Sequence, residues 1–99
     1  MDVTGFTPCG TVSIAGASTS ASATLSGAQI QASQILVTNA GTFIAFIRWG
    51  VGAQTALATD LPILPGMAQS FSKGAADTIA AITASGTTTT LYITPGEGS

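Results

Sequence analysis

Apolar and polar residues alternate along this chain in short runs, each bounded by Gly, Pro, Asn or Ser. Such alternation is typical of half-buried β-strands, because successive side chains of a strand point to opposite faces. The segment 28–33 is ambiguous, since it could form a helical turn but is too short for a stable helix. The pattern predicts an all-β protein, a single small antiparallel β-sandwich or jelly-roll-like domain of about seven strands. These strands are predicted over 11–15, 21–26, 34–39, 42–49, 67–72, 78–84 and 89–94.

The segment 42–49 is predicted to be the central strand. Its odd-numbered and even-numbered side chains face opposite ways, and both sets are apolar until Arg48. We therefore expect both faces to be covered, by other parts of the chain or by another subunit. An unpaired buried charge is costly, so we expect Arg48 to lie at an exposed strand end or to pair with Asp60 or Asp77. The alternative is an interface anchor formed with Trp49, because Arg and Trp are enriched at interface hot spots.

Two connections predict β-hairpins. Asn39 to Gly41 predicts a tight turn between 34–39 and 42–49, because Asn and Gly tolerate positive φ. A second hairpin is predicted between 78–84 and 89–94. Helix is the competing interpretation of 78–84, and its flanking Thr residues favour a strand.

Two prolines restrict the segment 61–66. Pro62 and Pro65 lack backbone N–H groups, so 61–66 is not expected inside a sheet ladder. Pro65 and Gly66 suit the two central positions of a type II turn.

Three regions are predicted from composition. Residues 1–10 form an N-terminal arm anchored by Phe6, either a frayed terminus or an arm that packs on a neighbouring subunit. Residues 11–95 form the β-sandwich domain, and 96–99 form a C-terminal tail. At 99 residues the chain fits one domain with a modest core.

Charge is unusually scarce. Only 6% of the residues are charged, against about 25% in an ordinary soluble domain, and the net charge is −2. Two basic residues cannot form the basic face that nucleic acid requires, so no nucleic-acid partner is expected. A surface of Ser, Thr, Gln and Asn resists association weakly, which favours a chain that works inside an assembly. A domain of a secreted array with a Thr- and Ser-rich surface is the alternative.

Catalytic and cofactor chemistry is not expected. The sequence has no His, its carboxylates are scattered, and its glycines match no phosphate-binding loop. The lone Cys9 has no His partner for a nucleophilic dyad and cannot form an internal disulfide. We therefore predict no enzyme activity, no catalytic residue, no cofactor-binding residue and no metal ligand. Apolar runs are far shorter than the roughly 20 residues of a membrane helix, and no signal peptide or membrane association is expected.

Four stretches carry a family resemblance: 37–41 (VTNAG), 45–50 (AFIRWG), 62–66 (PILPG), and 79–86 together with 91–98. In these the chain resembles small structural proteins of tailed-bacteriophage and prophage virions. The resemblance covers about residues 35–98 and rests on packing and turn motifs. It implies a capsid decoration (cement) or other virion-surface protein, made in the host bacterial cytoplasm and located on the capsid surface.

Two classes of function follow from this resemblance. A decoration protein would bind the major capsid protein on the outer shell and stabilise it, and is expected to form a homo-oligomer, a dimer or trimer. The alternative is a tail, collar or fibre-base component, or a sugar-binding module on the virion. A secreted immunoglobulin-like module is a third interpretation. The expected interface residues are Phe6, Arg48, Trp49, Pro62, Pro65 and Tyr92.

Overall fold

The computed structural model describes residues 7–8 and 10–97, which form a small β-sandwich of two antiparallel sheets. The predicted all-β class and sandwich are confirmed, and the ambiguous segment 28–33 contains a single helical turn, α1. The elements are β1 (Thr7–Pro8), β2 (Val12–Gly16), β3 (Ala21–Thr24), α1 (Ala28–Gln31), β4 (Gln34–Asn39), β5 (Ala45–Gly50), β6 (Leu61–Ile63), β7 (Ala68–Ser72), β8 (Thr78–Thr83) and β9 (Thr89–Glu97).

The two sheets are built from strands that are distant in sequence. One sheet has the order β2-β9-β4-β7, with β1 following β2 along the same side of β9. The other has the order β3-β8-β5-β6. Among the described residues, β5 and β6 are the only consecutive strands that pair with each other. Most connections therefore carry the chain from one sheet to the other.

Both predicted hairpins are wrong. β4 pairs with β7 and β9, whereas β5 pairs with β6 and β8 in the opposite sheet. β8 and β9 are likewise in different sheets. The physical reason is that a short turn suits a connection between sheets as well as one within a sheet. Gly41 is not among the glycines with positive φ; instead, a Cβ there would overlap the Thr89 side chain and lie 2.9 Å from the Thr89 Cα.

The proline-rich segment contributes a strand at a sheet edge. The expectation that 61–66 lies outside any sheet ladder is wrong for its first half, since Leu61–Ile63 forms β6, which pairs with β5 alone among the described strands. An edge strand tolerates Pro62 because only one of its sides takes part in the ladder. The predicted type II turn is confirmed by the bond from Met67 N to Leu64 O, 3.2 Å, and by a φ of 79° at Gly66.

The core lies between the sheets and consists of aliphatic side chains that obey the predicted alternation. Trp49 of β5 extends this core and packs against Phe71 of β7, with ring centroids 5.3 Å apart and planes tilted by 41°. The ring pair therefore joins the two sheets near their β6 and β7 edges. The buried members are Ile14, Leu25, Ile35, Val37, Ala45, Ile47, Ile63, Ile79, Ala81, Leu91 and Ile93.

A segment over residues 51–60, here called the outer segment, crosses the outside of the β3-β8-β5-β6 sheet. Its Ala56 N donates to Ser20 Oγ directly before β3, at 2.8 Å, and its Asp60 binds Arg48 of β5. Because β8 lies between β3 and β5, the outer segment passes over β8, and Ala80 is fully buried there.

The central strand is covered unequally on its two faces. The inner face of β5 is buried against the other sheet, as expected. On the outer face, the outer segment reaches Arg48, while Phe46 remains half-buried and the preceding Ile44 is 40% exposed. Complete coverage of both faces is thus not achieved within the described part of one chain.

The predicted terminal regions join the sheet where they are described. Thr7 and Pro8 of the predicted arm pair with Glu97 and Gly96, so β9 continues into the predicted C-terminal tail. The other predicted features of the arm, including Phe6 and Cys9, lie outside the described residues.

Candidate docking site

An apolar groove opens at one end of the sandwich, where the β4–β5, β6–β7 and β8–β9 connections meet. Its volume is about 340 Å³. Phe43 and Ile44 on its rim are 45% and 40% exposed. No lining side chain carries a charge or an amide, so the groove can offer apolar contact but little directional bonding. Its lining residues are Thr42, Phe43, Ile44, Phe46, Pro65, Ala84 and Thr87.

The loop that carries Phe43 is fixed by the buried side chain of Asn39. The Asn39 Nδ2 group donates to the carbonyl oxygens of Phe43 and Ile63, both at 2.9 Å. Its Oδ1 atom accepts from Gly41 N at 3.1 Å and from Thr89 Oγ1 at 2.6 Å. The amide thus uses both donors and accepts two hydrogen bonds, as a fully buried amide should. We call these four bonds the Asn39 network.

The opposite wall of the groove is also internally bonded. Thr87 Oγ1 donates to Ala84 O at 2.7 Å, and Thr83 Oγ1 donates to Thr87 O at 2.7 Å. Thr87 N adds a third bond to Ala84 O, at 3.0 Å. The Thr87 hydroxyl therefore donates its hydrogen bond within its own turn, and this wall presents mainly apolar surface to the groove.

Beside the groove, the outer face of β5 carries a neutral ion pair. Arg48 binds Asp60 through two hydrogen bonds of 2.9 Å, Nε to Oδ2 and Nη2 to Oδ1. This matches one of the two arrangements expected for Arg48. Hydrogen bonding by Arg48, followed by that from Leu57 N, holds the pKa of Asp60 below its ordinary value. The same hydrogen bond with Asp60 raises the pKa of Arg48.

Lys73 is buried, which the sequence analysis did not anticipate. It is 5% exposed, and its Nζ donates to the carbonyl oxygens of Ile30 (2.7 Å), Ala76 (2.9 Å) and Gly74 (3.2 Å). With Arg48 bound to Asp60, both basic residues of the sequence are engaged within the chain.

Three of the six expected interface residues lie on or near the groove. Pro65 lines it, and Pro62 is paired opposite Phe46, which also lines it. Arg48 follows Phe46 two residues later on the same outer face of β5. These three side chains are therefore brought to one side of the sandwich.

The other three expected interface residues are elsewhere. Trp49 points between the sheets, where it contacts Phe71. Tyr92 is 44% exposed on the outer face of the other sheet, paired with Ser13 and Thr38. Phe6 lies outside the described residues.

The sequence pattern did not single out the groove residues Phe43 and Ile44 or the supporting residue Asn39. Phe43 and Ile44 were predicted to lie within the central strand, but β5 begins at Ala45. The sequence held one indication of the groove, since both faces of the segment 42–49 are apolar and must be covered to be removed from water. The described part of the chain covers the outer face only in part. For Asn39, the buried alternation of Ile35 and Val37 continues to this residue.

In the described part of the chain, no group of three or more His, Cys, Asp or Glu side chains is placed to hold a metal ion. Nor does that part contain a helix long and apolar enough to cross a membrane. No protein-family model matches this sequence, and no curated protein or solved structure was found to be similar to it.

Proposed function

We propose that this chain is a structural protein of a tailed-bacteriophage virion, a capsid decoration protein that binds the major capsid protein and stabilises the outer shell. The observation that carries the proposal is the apolar groove with the exposed rim residues Phe43 and Ile44. The resemblance of residues 35–98 to small virion proteins supplies the biological setting.

The composition of the groove favours a protein segment as its occupant. Pockets for small molecules place a few polar groups around an apolar lining to orient the ligand. This groove has two Phe rings but no carboxylate or amide, and its Thr87 hydroxyl is already bonded. Apart from the two Thr side chains, the lining offers a sugar few partners for its hydroxyl groups, whereas an apolar side chain of the capsid protein needs none.

Electrostatics support the same occupant. The nearest charges, on Arg48 and Asp60, neutralise each other through two hydrogen bonds. Covering this face therefore does not bury an unpaired charge, which would oppose association. The neutral surface also suits a protein that remains attached at varied salt concentration, because little of the attraction is subject to screening.

A binding experiment with matched variants tests the proposal. Ile44→Asp places a carboxylate on the groove rim, whereas Val51→Asp makes a similar change at a residue that is 70% exposed and is not among the groove residues. Particles lacking the protein are prepared from the phage or induced prophage that encodes it, and the purified chain is added back. We expect Ile44→Asp to lower the bound copies per particle by at least about tenfold, and Val51→Asp to bind like the wild type.

Cryo-electron microscopy of the reconstituted particles locates the chain. Density across the capsid lattice would support decoration. Density confined to the neck or tail would overturn it in favour of a collar or fibre-base role. Equal binding by both Asp variants, each shown to be folded, would refute the groove as the docking site.

A further inference from the structure

Strand β7 is an open edge of the β2-β9-β4-β7 sheet. It pairs with β4 on one side, and no other strand of the described residues lies on its other side. Four of its five residues are exposed, and the fifth, Phe71, is partly buried. A row of backbone N–H and C=O groups is therefore available along a five-residue edge.

The direction of these backbone groups follows from the hydrogen bonds at both ends of β7. Asn39 N donates to Met67 O, and Lys73 N donates to Ser33 O, each at 2.9 Å. In an antiparallel ladder, hydrogen-bonded pairs alternate with non-hydrogen-bonded pairs, so the odd-numbered residues of β7 bond to β4. The even-numbered residues direct their N–H and C=O groups away from the sheet. These residues are Ala68, Ser70 and Ser72.

Two of the other described edges carry features that oppose strand pairing, which β7 lacks, and the remaining edge, β3, is a shorter strand of four residues. β6 has only three residues and includes Pro62; the edge formed by β1 and β2 includes Pro8 and is interrupted at Gly10, where φ is 99°. β7 contains neither proline nor charge. Lysine often protects such edges, but Lys73 directs its amine into the protein, where it bonds three carbonyl groups.

We infer that β7 pairs antiparallel with β7 of a second copy of this chain, across a two-fold axis at Ser70. In this register Ser70 lies opposite Ser70 of the second copy, and Ala68 opposite Ser72. Each outward N–H then meets an outward C=O, which gives about six hydrogen bonds. The edge is self-complementary because its three outward residues are symmetric about Ser70. The joined sheet spans both copies.

Side chains on the core side of this edge fit the same register. Phe71 is partly buried beside Trp49, and in the pair it faces Gln69 of the second copy. Closely spaced, non-hydrogen-bonded positions of this kind allow side chains to cover one another. The contact is small, so we expect a dissociation constant on the order of micromolar. This inference concerns the chain alone and does not depend on capsid binding.

Two substitutions at Ser70 test the pairing by different physical effects. Ser70→Lys places two like charges opposite each other across the axis and should raise the dissociation constant at least about tenfold. Ser70→Pro removes an outward N–H that β4 does not use, so the monomer ladder is retained. Ser13→Lys is the control, since Ser13 is an exposed strand residue on the same face at the opposite edge. Sedimentation equilibrium measures the mass against that of the 9.7 kDa chain.

We expect the wild type and Ser13→Lys to reach twice the chain mass and both Ser70 variants to remain monomeric. Amide hydrogen exchange gives a second measurement: protection at 68, 70 and 72 should increase with protein concentration in the wild type and in Ser13→Lys, but in neither Ser70 variant. A wild type that stays monomeric up to about 1 mM would overturn the inference, because that excludes even weak specific pairing. So would a folded Ser70→Lys or Ser70→Pro variant that dimerises like the wild type. Because no capsid is present, these results are separate from those of the docking experiment.

Discussion

The Asn39 network predicts a large and non-additive loss of stability when its amide is removed. Asn39→Ala leaves two buried groups without their partner, the Ile63 carbonyl and the Thr89 hydroxyl. Its other two partners, Phe43 O and Gly41 N, are part-buried and can bond water more easily. At about 1–3 kcal/mol for each buried unpaired group, we expect a loss of about 3–4 kcal/mol in the free energy of unfolding.

Thr89→Val removes one hydrogen bond of the Asn39 network, that from Thr89 Oγ1 to Asn39 Oδ1. Asn39 Oδ1 still accepts from Gly41 N after this change, so the expected loss is about 1 kcal/mol. In the Asn39→Ala background the Thr89 hydroxyl has already lost its acceptor, and Thr89→Val should then cost almost nothing. The double-mutant cycle should therefore give a coupling energy of about 1 kcal/mol. Thr89→Ser, which keeps the hydroxyl, is the control.

Urea unfolding followed by the fluorescence of the single Trp provides the measurement, with free energies from linear extrapolation. Two results would refute the reasoning. One is a loss below about 1 kcal/mol for Asn39→Ala, which would mean that water replaces all four bonds. The other is an equal cost of Thr89→Val in both backgrounds, which would show that the hydroxyl does not act through Asn39.

Three further predictions concern other parts of the chain. Gly41→Ala should destabilise the fold by about 2 kcal/mol, measured by urea unfolding, because its Cβ would overlap Thr89; a wild-type value would contradict the close approach. Lys73→Met should lower the free energy of unfolding by about 2 kcal/mol in the same assay, because carbonyl groups in a buried site lose their donor. A variant as stable as the wild type or more stable would show that burying the amine destabilises the fold at least as much as its hydrogen bonds stabilise it. Asp60 stabilises the fold above its unfolded pKa of about 3.9 and loses this effect as pH falls through its lowered folded-state pKa, because protonation weakens its pairing with Arg48. The melting temperature of the wild type should therefore exceed that of Asp60→Asn at pH 7, and the difference should shrink below about pH 4; a difference independent of pH would rule out the charge of Asp60 as its cause.

Strand positions and buried faces could be predicted because both depend on local alternation. Ile35 and Val37, and likewise Leu91 and Ile93, are buried as their spacing indicates. Strand partners could not be predicted in this way. The turn after Asn39 has residues suited to a hairpin. The Asn39 side chain, however, bonds Ile63 and Thr89, which are distant in sequence.

The groove could also be predicted only in part, because residues distant in sequence form it. The sequence indicated that the apolar segment 42–49 is covered on both faces, and Pro65 was among the expected interface residues. The sequence could not show that Ala84 and Thr87, in the connection between β8 and β9, form the far wall. Nor does the composition around Lys73 reveal that three backbone carbonyls converge on its amine.

The pairing order of the strands also has a consequence during synthesis. β9 lies between β4 on one side and β1 with β2 on the other, yet it leaves the ribosome after all of them. Until then β2 has no ladder partner among the described strands, and β4 has only β7. Closure over such sequence separations is slow compared with local hairpin formation. β8, the partner of both β3 and β5, ends shortly before β9 begins, so the other sheet is also completed late. The nascent chain should therefore remain susceptible to proteases and to association until synthesis is nearly complete.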